Sequence, residues 1–67
     1  MPTIVVDGPF LPNTAKKREL VRALTDAAVR VYGLPAPAVV VVIRENPPEN
    51  VGVGGELLAD RGKPKEA

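Results

Sequence analysis

Thr14-Ala15-Lys16-Lys17-Arg18-Glu19-Leu20-Val21-Arg22-Ala23-Leu24-Thr25-Asp26-Ala27-Ala28-Val29-Arg30-Val31-Tyr32 is the stretch whose spacing decides the fold. Leu20, Leu24, Ala27, Ala28 and Val31 fall on one stripe of a helical repeat, with Val21 and Tyr32 at its edges. Lys16, Glu19, Arg22, Asp26 and Arg30 fall on the other side, where Arg22–Asp26 and Asp26–Arg30 sit four apart and are expected to add small surface support. Asn13 or Thr14 can cap the start. Gly33 is the expected left-handed cap at the end, and Pro35 and Pro37 prevent continuation. The pattern predicts one helix over 14–32, about 28 Å long at 1.5 Å per residue. Lys16, Lys17 and Arg18 stand in its first turn, where the helix dipole prefers anions. They read chiefly as a solvated surface with a small stability cost, and secondarily as an attractor for an anionic substrate.

On either side of the helix lie two β-type runs. Thr3-Ile4-Val5-Val6 is β-branched throughout, and Val39-Val40-Val41-Val42-Ile43 is continuously apolar. Both patterns predict strands buried on two faces. A strand, a helix of this length and a second strand make a β-α-β unit, whose right-handed crossover leaves the strands parallel and adjacent. Asp7-Gly8-Pro9 has turn chemistry. The connection continues through Phe10-Leu11-Pro12-Asn13, and Phe10 reads as a plug over the helix–sheet seam in preference to a pocket wall. After the second strand, Asn46-Pro47-Pro48-Glu49-Asn50 is a rigid loop. Val51-Gly52-Val53-Gly54-Gly55-Glu56-Leu57 then suggests a small hairpin. Residues 1–67 form a single α/β domain, and 59–67 are expected to be a frayed polar tail.

Sixty-seven residues are near the lower limit for independent folding. There is no cysteine for a disulfide and no Cys/His cluster for a metal, so neither metal nor cofactor is expected. The composition is 45% apolar with one Phe, one Tyr and no Trp, more aliphatic surface than one helix and a few strands can enclose. Oligomerisation is the remaining route to a core. A net charge of +1 gives no electrostatic case for nucleic acid. No apolar run approaches a membrane span, and the N-terminus lacks the pattern of a secretory signal. A soluble cytoplasmic protein is the expectation.

Chemistry, if there is any, points to Pro2. Small side chains at position two normally permit removal of Met1, which would leave the Pro2 nitrogen as a free secondary amine. No histidine or cysteine offers a comparable base. Proline in second place more often only starts a strand, where its missing N–H costs nothing. Other motifs weigh less. Gly52-Val53-Gly54-Gly55 lacks the G-x-G-x-x-G spacing, and no Walker motif occurs. Glu45 and Glu49 flank a proline loop and read as solvated carboxylates, not as an acid–base pair.

Taken together, the Met-Pro start, the β-branched strand, the single amphipathic helix, the Val-rich second strand and Glu49-Asn50-Val51-Gly52-Val53-Gly54-Gly55-Glu56-Leu57 resemble the 4-oxalocrotonate tautomerase family over about residues 2–58. The resemblance implies a β-α-β subunit with a small C-terminal hairpin. Two subunits would dimerise into a four-stranded sheet with the helices on one face, and three dimers would build a homohexamer. It implies tautomerase (isomerase) activity on a small carbonyl compound, with Pro2 as general base. An α-amino group has a reference pKa of about 7.7–8.0, and desolvation by aliphatic neighbours would lower it toward a competent base.

Other family positions are changed. The arginine of the strand–helix loop is Pro12 here, the arginine at the start of the second strand is Val40, and the aromatic before Gly-x-Gly-Gly is Val51. Without those cations a dicarboxylate has no obvious clamps, so the expected substrate is monocarboxylic or uncharged. Arg44, on the Val40 face of the strand, and Asn50 are the candidates to compensate. Arg44 is about 13 Å from the Val40 position at ~3.3 Å per residue. A strand-end arginine paired with Glu45 or Glu49 across a subunit boundary is at least as good a reading of it, and Asn50 reads equally as a turn residue. Decarboxylase or dehalogenase chemistry, or a non-catalytic structural oligomer, are the alternatives to isomerisation.

Overall fold

The computed structural model describes residues 1–61. Strand β1 (Thr3–Gly8) leads to helix α1 (Thr14–Tyr32), strand β2 (Val40–Glu45) and a hairpin of β3 (Gly52–Val53) and β4 (Glu56–Leu57). β1 and β2 are parallel, with Thr3 opposite Val40 and Gly8 opposite Glu45. The β-α-β unit is therefore present, and α1 returns across one face of the pair.

The helix boundaries follow from local chemistry. Asn13, extended at φ −163°, accepts the Lys16 backbone N–H on its side chain at 2.9 Å, so Asn13 and not Thr14 is the cap. Gly33 closes the other end at φ 69°, its N–H donating to Val29 O at 2.9 Å. At the hairpin, Gly54 and Gly55 have φ of 62° and 86° and form the two-residue loop between Val53 and Glu56. Positive φ at both positions is what a twist-matched hairpin turn demands.

Several expectations change. The strands are not buried on both faces within one chain. In each, half-buried residues alternate with exposed ones: Ile4, Val6, Val41, Ile43 and Glu45 face the helix side, while Val5, Val40 and Val42 are exposed. One helix can cover only one face of a two-stranded sheet. β1 also extends through Asp7 and Gly8, which pair with Arg44 and Glu45 before the chain turns.

Val31 is 78% exposed and so lies off the buried stripe, where Val29 is half-buried instead. The helix, about 28 Å long, outruns strands of about 20 Å, so its last turn overhangs the sheet. Phe10 is 61% exposed and plugs nothing; Leu11 is the loop residue that turns inward. Neither Arg22–Asp26 nor Asp26–Arg30 forms an ion pair among the described residues, whereas Lys16 and Glu19 do, at 3.6 Å. At the start of the expected tail, Leu58–Asp60 forms a 3-10 turn and Arg61 Nε meets Glu56 Oε1 at 3.3 Å. The remainder of that tail, 62–67, lies outside the described residues.

Ala28 is the one buried apolar residue among those described. The accessible surface is 5379 Å², against about 4,100 Å² for a compact monomer of this mass. The Cα radius of gyration is 16.3 Å, against about 11 Å for a compact chain of this length. A chain with so little interior and so much surface does not complete a core alone.

Candidate functional site

Pro2 stands just before β1 and is half-buried, while Met1 before it is 90% exposed. The Pro2 carbonyl accepts the Val40 N–H at 3.0 Å, which adds one more bond to the ladder and fixes the proline against the start of β2. Proline is tolerated at this place because a strand's first residue can lack a donor. Val40 is 39% exposed and lies on the open face of the sheet with Val5 and Val42. By topology the overhanging end of α1, with exposed Val31 and Tyr32, returns to this same end of the sheet. Pro2 has the burial parity of Ile4 and Val6, so its ring falls on the helix side of the sheet, opposite the open face of Val5, Val40 and Val42, and it meets Val40 through backbone atoms.

The other candidates do not join it within one chain. Arg44 is opposite Asp7 near the far end of the ladder, about 13 Å from Val40 at ~3.3 Å per residue. Its Nη1 lies 4.0 Å from Asp7 Oδ2, and both side chains are more than half exposed. The ion partner is therefore Asp7 across the ladder, and neither Glu45 nor Glu49 takes that place within the chain. Pro12 is exposed in the β1–α1 loop, also at the far end. Asn50 closes the 3-10 turn Pro48–Asn50, its N–H donating to Pro47 O at 2.8 Å, and its side chain is exposed. Val51 follows, half-buried, and its carbonyl accepts the Leu58 N–H at 2.8 Å. Of the six candidates the structure joins Pro2 and Val40 through the backbone only and leaves Pro12, Arg44, Asn50 and Val51 elsewhere. A concavity of about 530 Å³ runs along α1 between Lys17 and Asp26 and against Ala36, and none of the six lines it.

The reading of Glu45 as a solvated carboxylate is corrected by the structure, which places it in a cluster at the far end of the sheet. Glu45 Oε1 meets Lys17 Nζ at 2.8 Å, and Glu45 Oε2 accepts the Leu11 backbone N–H at 2.8 Å. The Glu45 side chain is only 21% exposed. The Lys17 ammonium first, and the Leu11 N–H after it, hold the Glu45 carboxyl below the ordinary carboxylate value against an opposing pull from burial. Two of the three residues of the basic cluster in the first helical turn thus have acidic partners. Lys17 is matched by an anion from β2, and Lys16 by Glu19. The signal was available: Glu45 has the parity of Val41 and Ile43, so it faces the helix, where a carboxylate needs a partner.

A parallel β-α-β unit followed by a glycine hairpin, with a proline pinned at the head of the first strand, defines a class of small α/β subunit with an unfinished core. Comparison with known proteins supplies the family. The family model described as tautomerase enzyme matches residues 2–61. The chain belongs to the tautomerase family. DmpI from Archaeoglobus fulgidus is 49% identical, with a TM-score of 0.82 over 88% of this chain and 100% of its own. TomN, a 4-oxalocrotonate tautomerase homologue of the tomaymycin biosynthetic pathway, is 38% identical, with a TM-score of 0.84 over 90% of this chain and 92% of its own. A heterohexamer 4-oxalocrotonate tautomerase from Chloroflexus aurantiacus J-10-fl is 33% identical, with a TM-score of 0.82 over 91% of this chain and 98% of its own. Comparison with curated protein sequences finds no match. Among the described residues no helix is long and apolar enough to cross a membrane.

Proposed function

We propose that this chain is an isomerase in which the Pro2 nitrogen, freed by removal of Met1, is the general base. It takes a proton from carbon beside a carbonyl and returns it to another carbon of the same molecule. The substrate is a small keto–enol compound that is uncharged or carries one carboxylate. The observation that carries this reading is the Pro2–Val40 hydrogen bond at 3.0 Å, which holds a half-buried proline, with the burial parity of Ile4 and Val6, at the head of the sheet. Desolvation there favours the neutral amine, the form that accepts a proton.

The working particle in this reading is a homo-oligomer built on a dimer with a four-stranded sheet, and a trimer of such dimers is the expected assembly. The open face with Val5, Val40 and Val42, and the surface in excess of a compact monomer, support assembly. A two-fold axis normal to the sheet runs the neighbouring strands antiparallel. It carries the Gly8–Glu45 end of one chain toward the Pro2 end of the next. Pro12, Val51, Asn50 and Arg44 then reach a site from copies other than the one that supplies its proline. A single carboxylate on the substrate is met by Arg44 of a neighbouring copy, which is on the same face of β2 as Val40.

The test is ketonisation of enol-form 2-keto monocarboxylates by the wild type and by Pro2→Ala, after intact mass has established the loss of Met1. The expected result is turnover that falls by at least about a hundredfold in the variant, the lower end for a general base. Equal rates would reject the mechanism. So would a purified, active particle that retains Met1, because an amide nitrogen accepts no proton at neutral pH.

A further inference from the structure

The loop from Pro9 to Asn13 is unusual for a connection, because Pro9, Phe10, Leu11 and Pro12 carry no charge and offer a donor only at the backbone of Phe10 and Leu11. Loops of this kind are ordinarily polar and mobile. Here the Leu11 N–H is taken by Glu45 Oε2 at 2.8 Å, across 34 residues of sequence. The other oxygen of the same carboxylate holds Lys17 at 2.8 Å, in the first turn of α1. Asn13 caps that helix by accepting the Lys16 N–H at 2.9 Å. Both arms of the loop's second half are therefore fastened, one to β2 and one to the helix, while Phe10 at its crest is 61% exposed. An exposed aromatic on a fastened backbone is a wall with nothing yet in front of it.

We propose that Glu45 is a positioning residue that holds the Phe10–Pro12 loop as a rigid apolar wall of the site of a neighbouring copy, and that this wall selects substrates with an apolar tail. The inference rests on the Pro2 reading and on the two-fold arrangement that carries this end of the sheet to a neighbouring proline. Glu45 touches no reacting atom. It acts through the Leu11 backbone, so the hydrogen bond and not the charge is what matters for selection. Glutamine at position 45 can still accept the Leu11 N–H with its side-chain carbonyl, although it loses the attraction to Lys17. Leucine fills similar space and accepts nothing.

This separates Glu45→Gln from Glu45→Leu. Two substrates are used, an enol-form 2-keto monocarboxylate with a short chain and one with a long aliphatic or phenyl tail. Glu45→Leu is expected to raise KM for the tailed substrate about tenfold and to change kcat for either by no more than about twofold. KM for the short substrate stays within about twofold. Glu45→Gln behaves as the wild type in KM for both. Hydrogen exchange at the Leu11 amide gives a readout that needs no substrate: it is slow in the wild type and in Glu45→Gln, and at least about tenfold faster in Glu45→Leu.

Equal KM values for the two variants, or a fall in kcat shared by both substrates, overturns the proposal. A Leu11 amide that exchanges as fast in the wild type as in Glu45→Leu does the same. Should Glu45→Leu fail to assemble, Glu45→Ser, too short to reach Leu11, makes the same comparison. The two readings fail separately. Full activity in Pro2→Ala removes the proline mechanism and leaves the loop to be judged by amide exchange. Loss of activity in Pro2→Ala with no effect of Glu45→Leu removes the loop proposal alone.

Discussion

The two ends of the β1–β2 sheet are built in opposite ways. At the Gly8–Glu45 end, a carboxylate binds a lysine and a backbone amide, the helix start is capped, and Asn46 N–H continues the ladder to Gly8 O at 2.8 Å. At the Pro2–Val40 end there is one backbone hydrogen bond, an overhanging helix terminus and exposed valines. The first end is tied by side-chain contacts within one chain, and the second by backbone alone. In a chain this small, the side-chain fastening is concentrated at one end of the sheet, and the proposed base stands at the other.

The largest effect expected from breaking this contrast comes from charge on the open face. Val42→Asp places a carboxylate among Val5 and Val40, each about two-fifths exposed, so that assembly would gain roughly 0.6–1.2 kcal/mol from covering each valine. A carboxylate there reverses that contribution in every copy of the particle. Sedimentation at micromolar concentration is expected to show loss of the assembly, with loss of helical circular dichroism in the same sample. A variant that stays assembled would place the open face outside the interfaces.

Next in size is the helix cap at the fastened end. Asn13→Ala removes the acceptor for the Lys16 N–H and is expected to cost about 1 kcal/mol, read as a lower midpoint in urea. Asn13→Asp is expected to stay close to the wild type, since it keeps an acceptor and adds a charge that the helix dipole favours. If both variants lose equally, the side-chain bond is not what starts α1.

How much of this was legible in the sequence divides along the same line. The 3.6-residue spacing from Leu20 to Ala28, Asn13 before it and Gly33 after it were sufficient for α1, because each is a local signal. The parallel pairing followed from chain order alone. Exposure at Val5, Val40 and Val42 could not be read from strand composition. A valine run looks the same whether the second face meets a helix of the same chain or another copy. Glu45 reads as a solvated carboxylate in the sequence for a related reason. Its partners, Lys17 and Leu11, are distant in sequence, so only the pleat parity shared with Val41 and Ile43 marked it. Pro2 was legible as a candidate because few alternatives exist, while Pro12, Arg44, Asn50 and Val51, named from their positions in the sequence, lie elsewhere in the single chain.

A smaller effect follows from pH. The folded-state pKa of Glu45 is lowered by Lys17 and Leu11, so its contribution to stability is complete above the unfolded carboxyl value, about 4.3. It is lost as pH falls through the lower folded value. The difference in stability between the wild type and Glu45→Gln is therefore expected to be constant from about pH 6 to 8 and to shrink below about pH 4.3. A difference that grows on acidification would contradict the assigned cause.

The smallest effect belongs to Asp7 and Arg44, and it bears on both ends at once. Their atoms approach only to 4.0 Å and both side chains are largely solvated, 59% and 63% exposed. Exposed pairs of this kind contribute about 0–1 kcal/mol, so Asp7→Asn is expected to shift the urea midpoint barely, if at all. The same change frees Arg44 from its one carboxylate neighbour among the described residues. If Arg44 serves the proline of another copy, Asp7→Asn lowers KM for a monocarboxylate substrate and leaves KM for an uncharged one unmoved. Arg44→Met then raises KM for the carboxylate about tenfold, the value of one charge-assisted hydrogen bond. A stability change of 1 kcal/mol or more in Asp7→Asn, with KM unmoved in both variants, would make the pair a strut of the closed end and return Arg44 from chemistry to structure.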